Sequence, residues 1–344
     1  MHGHDWHAGL APAYLAARGE IGRREAVFTV HNLGYQGEFP AEVFGELALP
    51  PAFFSIHGLE FFGKVNFMKA GLHYADRITT VSPTYAREIQ TAEFGFGMEG
   101  LLRSRAGAVS GILNGVDRAV WNPATDARIA ARYNERDIAG KRACRDALRA
   151  ELGLGAAAGP LFGVVSRLTE QKGIDLVLDA LPALVAADAQ LVVLGSGDTA
   201  LERRVQAAAV QHPGRVAVRI GYDEDLAHRI FAGSDVLLVP SRFEPCGLTQ
   251  LYALAYGSLP LVHAVGGLAD SVHDCDAAGA QATGFTFRGA TAAALEAALE
   301  RVFALWRTPA RWERVRSTAM REDFGWAGAA RAYLRLYRDL RPQA

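Results

Sequence analysis

No uninterrupted apolar run in this chain approaches the ~20 residues that a helical membrane span requires. Cysteine is scarce. The three present in 344 residues, Cys144, Cys246 and Cys275, are widely spaced and odd in number, which suits a reducing compartment better than a disulfide scaffold. Neither sign of charge dominates: 36 Lys and Arg against 37 Asp and Glu leave a net charge of −1. The basic excess expected of a nucleic-acid binder is therefore missing. So is the basic-then-apolar start of a signal peptide. Glycine and proline are dispersed at junctions between apolar runs rather than gathered into a linker. These absences leave an ordinary soluble protein, expected in the cytoplasm, with room for two domains at ~100–200 residues each.

What the chain does have is alternation. The runs LFGVVS (161–166), QLVVLG (190–195), VAVRIG (216–221), DVLLVPS (235–241) and LPLVHA (259–264) are each followed by a stretch of helical periodicity. Continuous β-branched runs mark strands buried on both faces, as in a parallel sheet. The pattern predicts a doubly wound α/β domain over about 157–325. Earlier, AVFTVHN (26–32), RITTVS (77–82) and SGILNG (110–115) read as parallel strands separated by long irregular segments such as 33–63. An Arg- and Ala-rich helix over about 136–152 carries the chain between domains. Residues 326–340 form an amphipathic helix with Trp326, Ala330, Tyr333, Leu334 and Tyr337 at helical spacing. Three strands make a small sheet with exposed edges, so the front part reads as an incomplete domain.

Open parallel sheets bind ligands at the carboxyl ends of their strands. Arg167 and Lys172 follow the run 161–166 on a loop entering a helix, either as a phosphate clamp or as a solvated loop. Glu244 and Cys246 follow the run 235–241, with Gly247, Leu248 and Thr249 at a helix start. A carboxylate would repel a phosphate there, so Glu244 suits a sugar hydroxyl. Tyr222 ends another strand and either stacks on a base or packs in the core or at the rim. Asn114 lies in an Asn-Gly pair, which is first of all a turn signal. The opening MHGHDWHAGL sets His2, His4 and His7 ahead of a helix with no strand before them. A metal site, a tag-like oddity and the edge of an active site are all open.

The segments HDWHAGLAPAYL, FTVHNLGYQG, VSPTYAREI, FGMEGLL, ILNGVD, VSRLTEQKG, PSRFEPCGLTQLYAL and GGLADSV occur in order across most of the chain. Together they closely resemble the bacterial glycogen synthase family, which is related to plant starch synthases. The resemblance implies a GT-B fold of two Rossmann-like domains. Residues 1–155 would be the later part of the N-terminal domain, 156–325 the nucleotide-sugar domain and 326–344 a helix crossing back. It implies glucosyl transfer from ADP-glucose to the nonreducing 4-OH of an α-1,4-glucan, or glycogen, with retention of configuration. Arg167 and Lys172 would bind the pyrophosphate, Glu244 the donor glucose, and Cys246, Gly247, Leu248, Thr249, Gly266 and Gly267 the rest of the donor. Tyr222 would stack on adenine, and His7 and Asn114 would face the transferred sugar.

No metal or cofactor is implied, nor nucleic acid or membrane as partner. Tyr252 stands where many relatives of this fold carry a second Glu for the ribose. The family's opening strand and Lys-Thr-Gly-Gly-Leu loop have no counterpart here. The resemblance therefore also raises an inactive, N-terminally truncated remnant that binds ADP or glucan without turnover, and predicts little glucose incorporation and poor solubility for residues 1–344 alone.

Overall fold

The computed structural model describes residues 1–20 and 24–340. The chain forms two compact units, Met1–Asn114 with Ala327–Ala344, and Gly115–Trp326.

In the first unit, strands β1 (His2–His4), β2 (Val27–Val30), β6 (Arg77–Thr80) and β7 (Val109–Gly111) make a four-stranded parallel sheet in the order β1-β2-β6-β7. A second, antiparallel sheet orders β3 (Glu38–Phe39), β5 (Lys64–Asn66) and β4 (Glu60–Phe61) as β3-β5-β4. Residues 33–63 are thus less irregular than their sequence suggests. Phe28, Met68, Leu72, Ile78, Tyr85 and Ile89 form the main core. The opening histidines do not lack a strand; they are one. His2 and His4 pair in register with Val27 and Thr29, because Gly3 between them fits closely against Ala8 and the Phe28 ring.

The second unit holds a six-stranded, all-parallel sheet. Its strands are β8 (Leu161–Val165), β9 (Gln190–Gly195), β10 (Val216–Ile220), β11 (Val236–Val239), β12 (Leu259–His263) and β13 (Phe285–Phe287), ordered β10-β9-β8-β11-β12-β13. Alternate side chains enter two separate cores. Phe162, Val164, Leu191, Val193 and Leu238 lie on one face, and Leu161, Val192, Leu194, Leu237 and Val239 on the other. That two-sided burial explains the continuous apolar runs. β13 was not legible as a strand: it is three residues long, pairing only with β12.

The boundary expected at 155 lies instead at 114, and the segment 115–155 packs within the second unit. The Lys141 ammonium, on the helix Ala139–Glu151, donates to the carbonyls of Ala232 and Tyr256, each at 3.0 Å. The Tyr133 hydroxyl donates to the same Tyr256 carbonyl at 2.8 Å. Arg229 grips Glu151 with two hydrogen bonds of 2.9 Å. The helix Trp326–Leu340 joins the first unit from Ala327 onward. Tyr337 meets His2 at 2.6 Å and Tyr333 lies beside the same ring. Its apolar stripe is only partly used, since Trp326 and Leu334 stay about half exposed.

Candidate active site

The parallel sheet of the second unit brings most of the candidate residues to its carboxyl edge. Arg167 and Lys172 lie beyond β8, Tyr222 beyond β10, Glu244 to Thr249 beyond β11, and Gly266 and Gly267 beyond β12. A cavity of about 200 Å³ is lined by Arg167, Lys172, Ser241 and Thr249. Beside it the Lys172 ammonium meets Glu244 Oε2 at 2.5 Å, and the Ser241 hydroxyl donates to the same oxygen at 2.9 Å. Glu244 is 6% exposed. A carboxylate so buried needs a cation and hydrogen-bond donors, and these two residues supply them.

What holds the two loops in register is a set of contacts that the sequence did not disclose. Arg242 donates from both terminal nitrogens to Asp175, at 2.9 and 2.6 Å, and to the Glu170 carbonyl at 2.7 Å. The Arg242 amide donates to the Gln171 carbonyl at 2.8 Å. The Gln171 side chain returns a bond to the Phe243 carbonyl at 3.1 Å, and Arg167 donates to the Gln171 side-chain oxygen at 3.3 Å. The loop carrying Arg167 and Lys172 is thereby bonded along its length to the loop carrying Glu244. The hydrogen bonds from Arg242, and then its charge, hold the Asp175 carboxyl below the usual carboxylate range. Arg242 lies inside a segment the sequence singled out, but its partner is 67 residues away, a spacing no local pattern encodes.

The glycine pair supports this arrangement. A Cβ on Gly266 would lie 1.9 Å from the Glu244 carbonyl oxygen, and one on Gly267 2.0 Å from that of Cys246. Only glycine allows so close an approach, and Gly266 also has φ +44°. The Gly267 amide is spent on the carbonyls of Glu244 and Pro245, at 3.1 and 3.2 Å. The pair thus buttresses the loop from behind. Gln250, also unforeseen, is buried and donates to the carbonyls of Cys246 and Gly247 at 3.1 and 2.9 Å. Gly247 has φ +69°, while Leu248 caps and Thr249 opens the short helix Thr249–Ala255. Cys246 is buried and Leu248 exposed.

Tyr222 is 88% exposed, which excludes a place in the core. Its hydroxyl donates to Glu224 at 3.1 Å. Nearby, Trp121 is sandwiched between His228 and Tyr252, with ring centroids 3.8 and 3.9 Å away. His228 Nδ1 and the Tyr256 hydroxyl both meet Asp126, at 2.7 and 2.6 Å. Tyr252 is thus built into an aromatic stack on a buried polar base. Sequence reasoning noted Tyr252 as a departure but missed its support.

His7 and Asn114 belong to the first unit. His7 is exposed in the turn Trp6–Ala8, stacked on Trp6 at 3.8 Å. Asn114 is half-buried just beyond β7. Both nitrogens of His2 meet hydroxyls, of Tyr337 and Thr29, at 2.6 Å each. Burial, then the neighbouring His4, pushes the His2 imidazole down to about 4. His4 pairs with His31 at 3.0 Å. His7 is not part of that cluster, and among the described residues no group of three or more His, Cys, Asp or Glu is placed to hold a metal ion.

Comparison with known proteins agrees with this fold. Residues 1–104 match the family described as the starch synthase catalytic domain, and residues 155–315 that of glycosyl transferases group 1. The chain is 58% identical to a glycogen synthase of Edwardsiella ictaluri, over 99% of this chain and 72% of that protein. It is also 58% identical to one of Leptothrix cholodnii, over 99% of this chain and 71% of that protein. The catalytic domain of starch synthase IV from Arabidopsis thaliana, solved bound to ADP and acarbose, has a TM-score of 0.91 at 37% identity. That match covers 98% of this chain and 72% of that one.

Proposed function

Because this chain belongs to the glycogen and starch synthase family of GT-B glycosyltransferases, we propose that it transfers glucose from ADP-glucose to the nonreducing 4-OH of an α-1,4-glucan, with retention of configuration. The observation that carries the reading is the convergence of Arg167, Lys172 and Thr249 on one cavity, with Glu244 ion-paired at its side. Sharing a fold with a relative bound to ADP and acarbose supports both kinds of ligand.

In this reading the C1–O bond to ADP breaks while a new C1–O bond forms to the acceptor O4, whose proton passes to the departing phosphate oxygen. Negative charge accumulates on the departing diphosphate. Arg167 and Lys172 meet that charge in a site already fixed before reaction, so little reorganisation is spent as the charge develops. Glu244 holds a hydroxyl of the donor glucose, and Tyr222 offers its exposed ring to the adenine. His7 and Asn114 face the transferred sugar. No metal enters this scheme. All three cysteines are buried and none forms a disulfide, which supports placing the reaction in the reducing cytoplasm. No helix among the described residues is long and apolar enough to cross a membrane.

The test is incorporation of labelled glucose from ADP-glucose into glycogen. Arg167→Ala is expected to lower turnover about 10²–10³-fold, the usual loss for one such donor, and EDTA to leave it unchanged. Turnover of Arg167→Ala within threefold of the parent would sink the assignment. ADP binding without incorporation by the parent chain would reduce the function to binding alone.

A further inference from the structure

A second cavity of the second unit lies away from the candidate active-site residues. It has a volume of about 690 Å³ and is bounded by the helix Pro309–Arg321 and by the loop that leads into β13. β13 runs parallel to β12, with Leu261 opposite Phe285, so this loop enters at the amino edge of the sheet. Arg167, Lys172 and Glu244 stand at the carboxyl edge. The two places are separated by the length of the strands, ~16 Å for five residues.

Arg311, Arg314 and Arg321 all line the cavity, together with Ser317 and Thr318. At about 3.6 residues per turn the three arginines fall within an arc of ~80° on one face of the helix. Two are held in place. Arg321 donates to Ser317 Oγ at 2.7 Å and Thr318 Oγ1 at 3.4 Å, and Arg311 donates to the Cys275 carbonyl at 3.1 Å. Charge is not balanced there. Asp276 is the only carboxylate lining the cavity, and it is shared between Arg301 at 2.6 Å and Arg311 at 3.7 Å. Arg301 is also paired with Asp274 at 2.5 Å. Glu313 on the same helix is taken by Arg316. Among the described residues, Arg314 and Arg321 pair with no carboxylate, so four guanidinium groups face two acids.

A solvated helix face would carry scattered charges of both signs. Here one sign is concentrated along the wall of a concavity, with hydroxyl donors between the cations. Guanidinium groups match the paired oxygens of a phosphate, and concave walls focus the field of such a cluster. We propose that the cavity between the helix Pro309–Arg321 and the 275–282 loop is a binding site for a small phosphomonoester, held by Arg311, Arg314 and Arg321 with Ser317 and Thr318. It is separate from the donor site, and it stands or falls independently of the transferase reading.

The test is calorimetric titration with glycerol 3-phosphate as the probe, in the presence of saturating ADP so that any diphosphate site is filled. The parent chain is compared with Arg314→Gln/Arg321→Gln, whose replaced side chains are exposed and whose melting temperature should match the parent. Saturable binding that weakens about tenfold or more in the double variant, and persists with ADP present, is the expected result. Equal affinity in parent and variant, loss of binding on adding ADP, or no binding by the parent would each overturn the proposal.

Discussion

Removing the Arg242 side chain should loosen the active site without touching any group that meets substrate. Arg242→Ala deletes two charge-assisted bonds to Asp175 and one to the Glu170 carbonyl, and leaves the Asp175 carboxylate without its cation. Such bonds contribute ~1.5–3 kcal/mol each when buried. The two side chains keep 29% and 25% of their surface exposed, so solvent screens part of this and replaces some of the lost contacts. A net loss of about 2–3 kcal/mol is expected for the second unit, or ~4–12 °C in melting temperature for a domain of that size.

The kinetic effect should be larger than the stability effect suggests. The same clamp aligns the loop of Arg167 and Lys172 with that of Glu244, and catalysis by positioning tolerates displacements well under ~1 Å. We expect kcat for glucose transfer to fall about 10–100-fold, with Arg242→Lys recovering only part because it cannot form the two-pronged contact. The pH dependence supplies a further check. The Asp175 carboxyl is held below its ordinary value by Arg242, so its contribution to stability is present above the unfolded value of ~3.9 and lost as pH falls through the folded one. The gap in melting temperature between parent and Arg242→Ala should therefore narrow below pH ~4. A variant that melts lower yet turns over at the parental rate would show the clamp to be structural only, and refute the positioning argument.

Three other outcomes follow from named contacts. Tyr222→Ala should weaken ADP binding about 5–150-fold in a fluorescence titration, the range for loss of a base-stacking ring, with no change in melting temperature because the ring is solvent-exposed. Burial, then nearby Arg316, pushes the Lys141 ammonium down to about 7; with the folded value below the unfolded ~10.4, the folded state releases its proton first, and this residue makes stability rise between pH 7 and 10. Lys141→Met should remove that upward slope from a series of urea titrations, and an unchanged slope would contradict it. Glu244→Gln takes a negative charge from beside the proposed phosphate site, so ADP should bind more tightly while glucose transfer falls; weaker ADP binding would mean that Glu244 serves chiefly to hold Lys172 in place.

The sheet of the second unit could be read from the sequence because its physics is local. The strands β8, β9, β11 and β12 are buried almost throughout and appear as continuous apolar runs, β10 keeps enough of that pattern to be read, and the three-residue edge strand β13 does not. The strands that escaped notice are those whose identity comes from a partner. His2–His4 contains no apolar side chain, and it is a strand only because β2 supplies a backbone edge and Gly3 allows the approach. The short antiparallel strands between Glu38 and Asn66 depend likewise on each other.

The same distinction divides the candidate site. Charged residues at strand ends, such as Arg167, Lys172 and Glu244, stand out in the sequence, and the structure brings all three together. The residues that set their geometry do not. Asp175 reads as an ordinary first-turn acid and Gln250 as an ordinary helix residue, and Trp121 lies over a hundred residues from the Tyr252 ring it stacks against. Lys141 looks like one more cation in a charged helix, yet it is buried among carbonyls and fixes the segment 115–155 to the second unit. A positioning residue works through a partner that only folding supplies, and so its role becomes legible only once the fold has closed the distance.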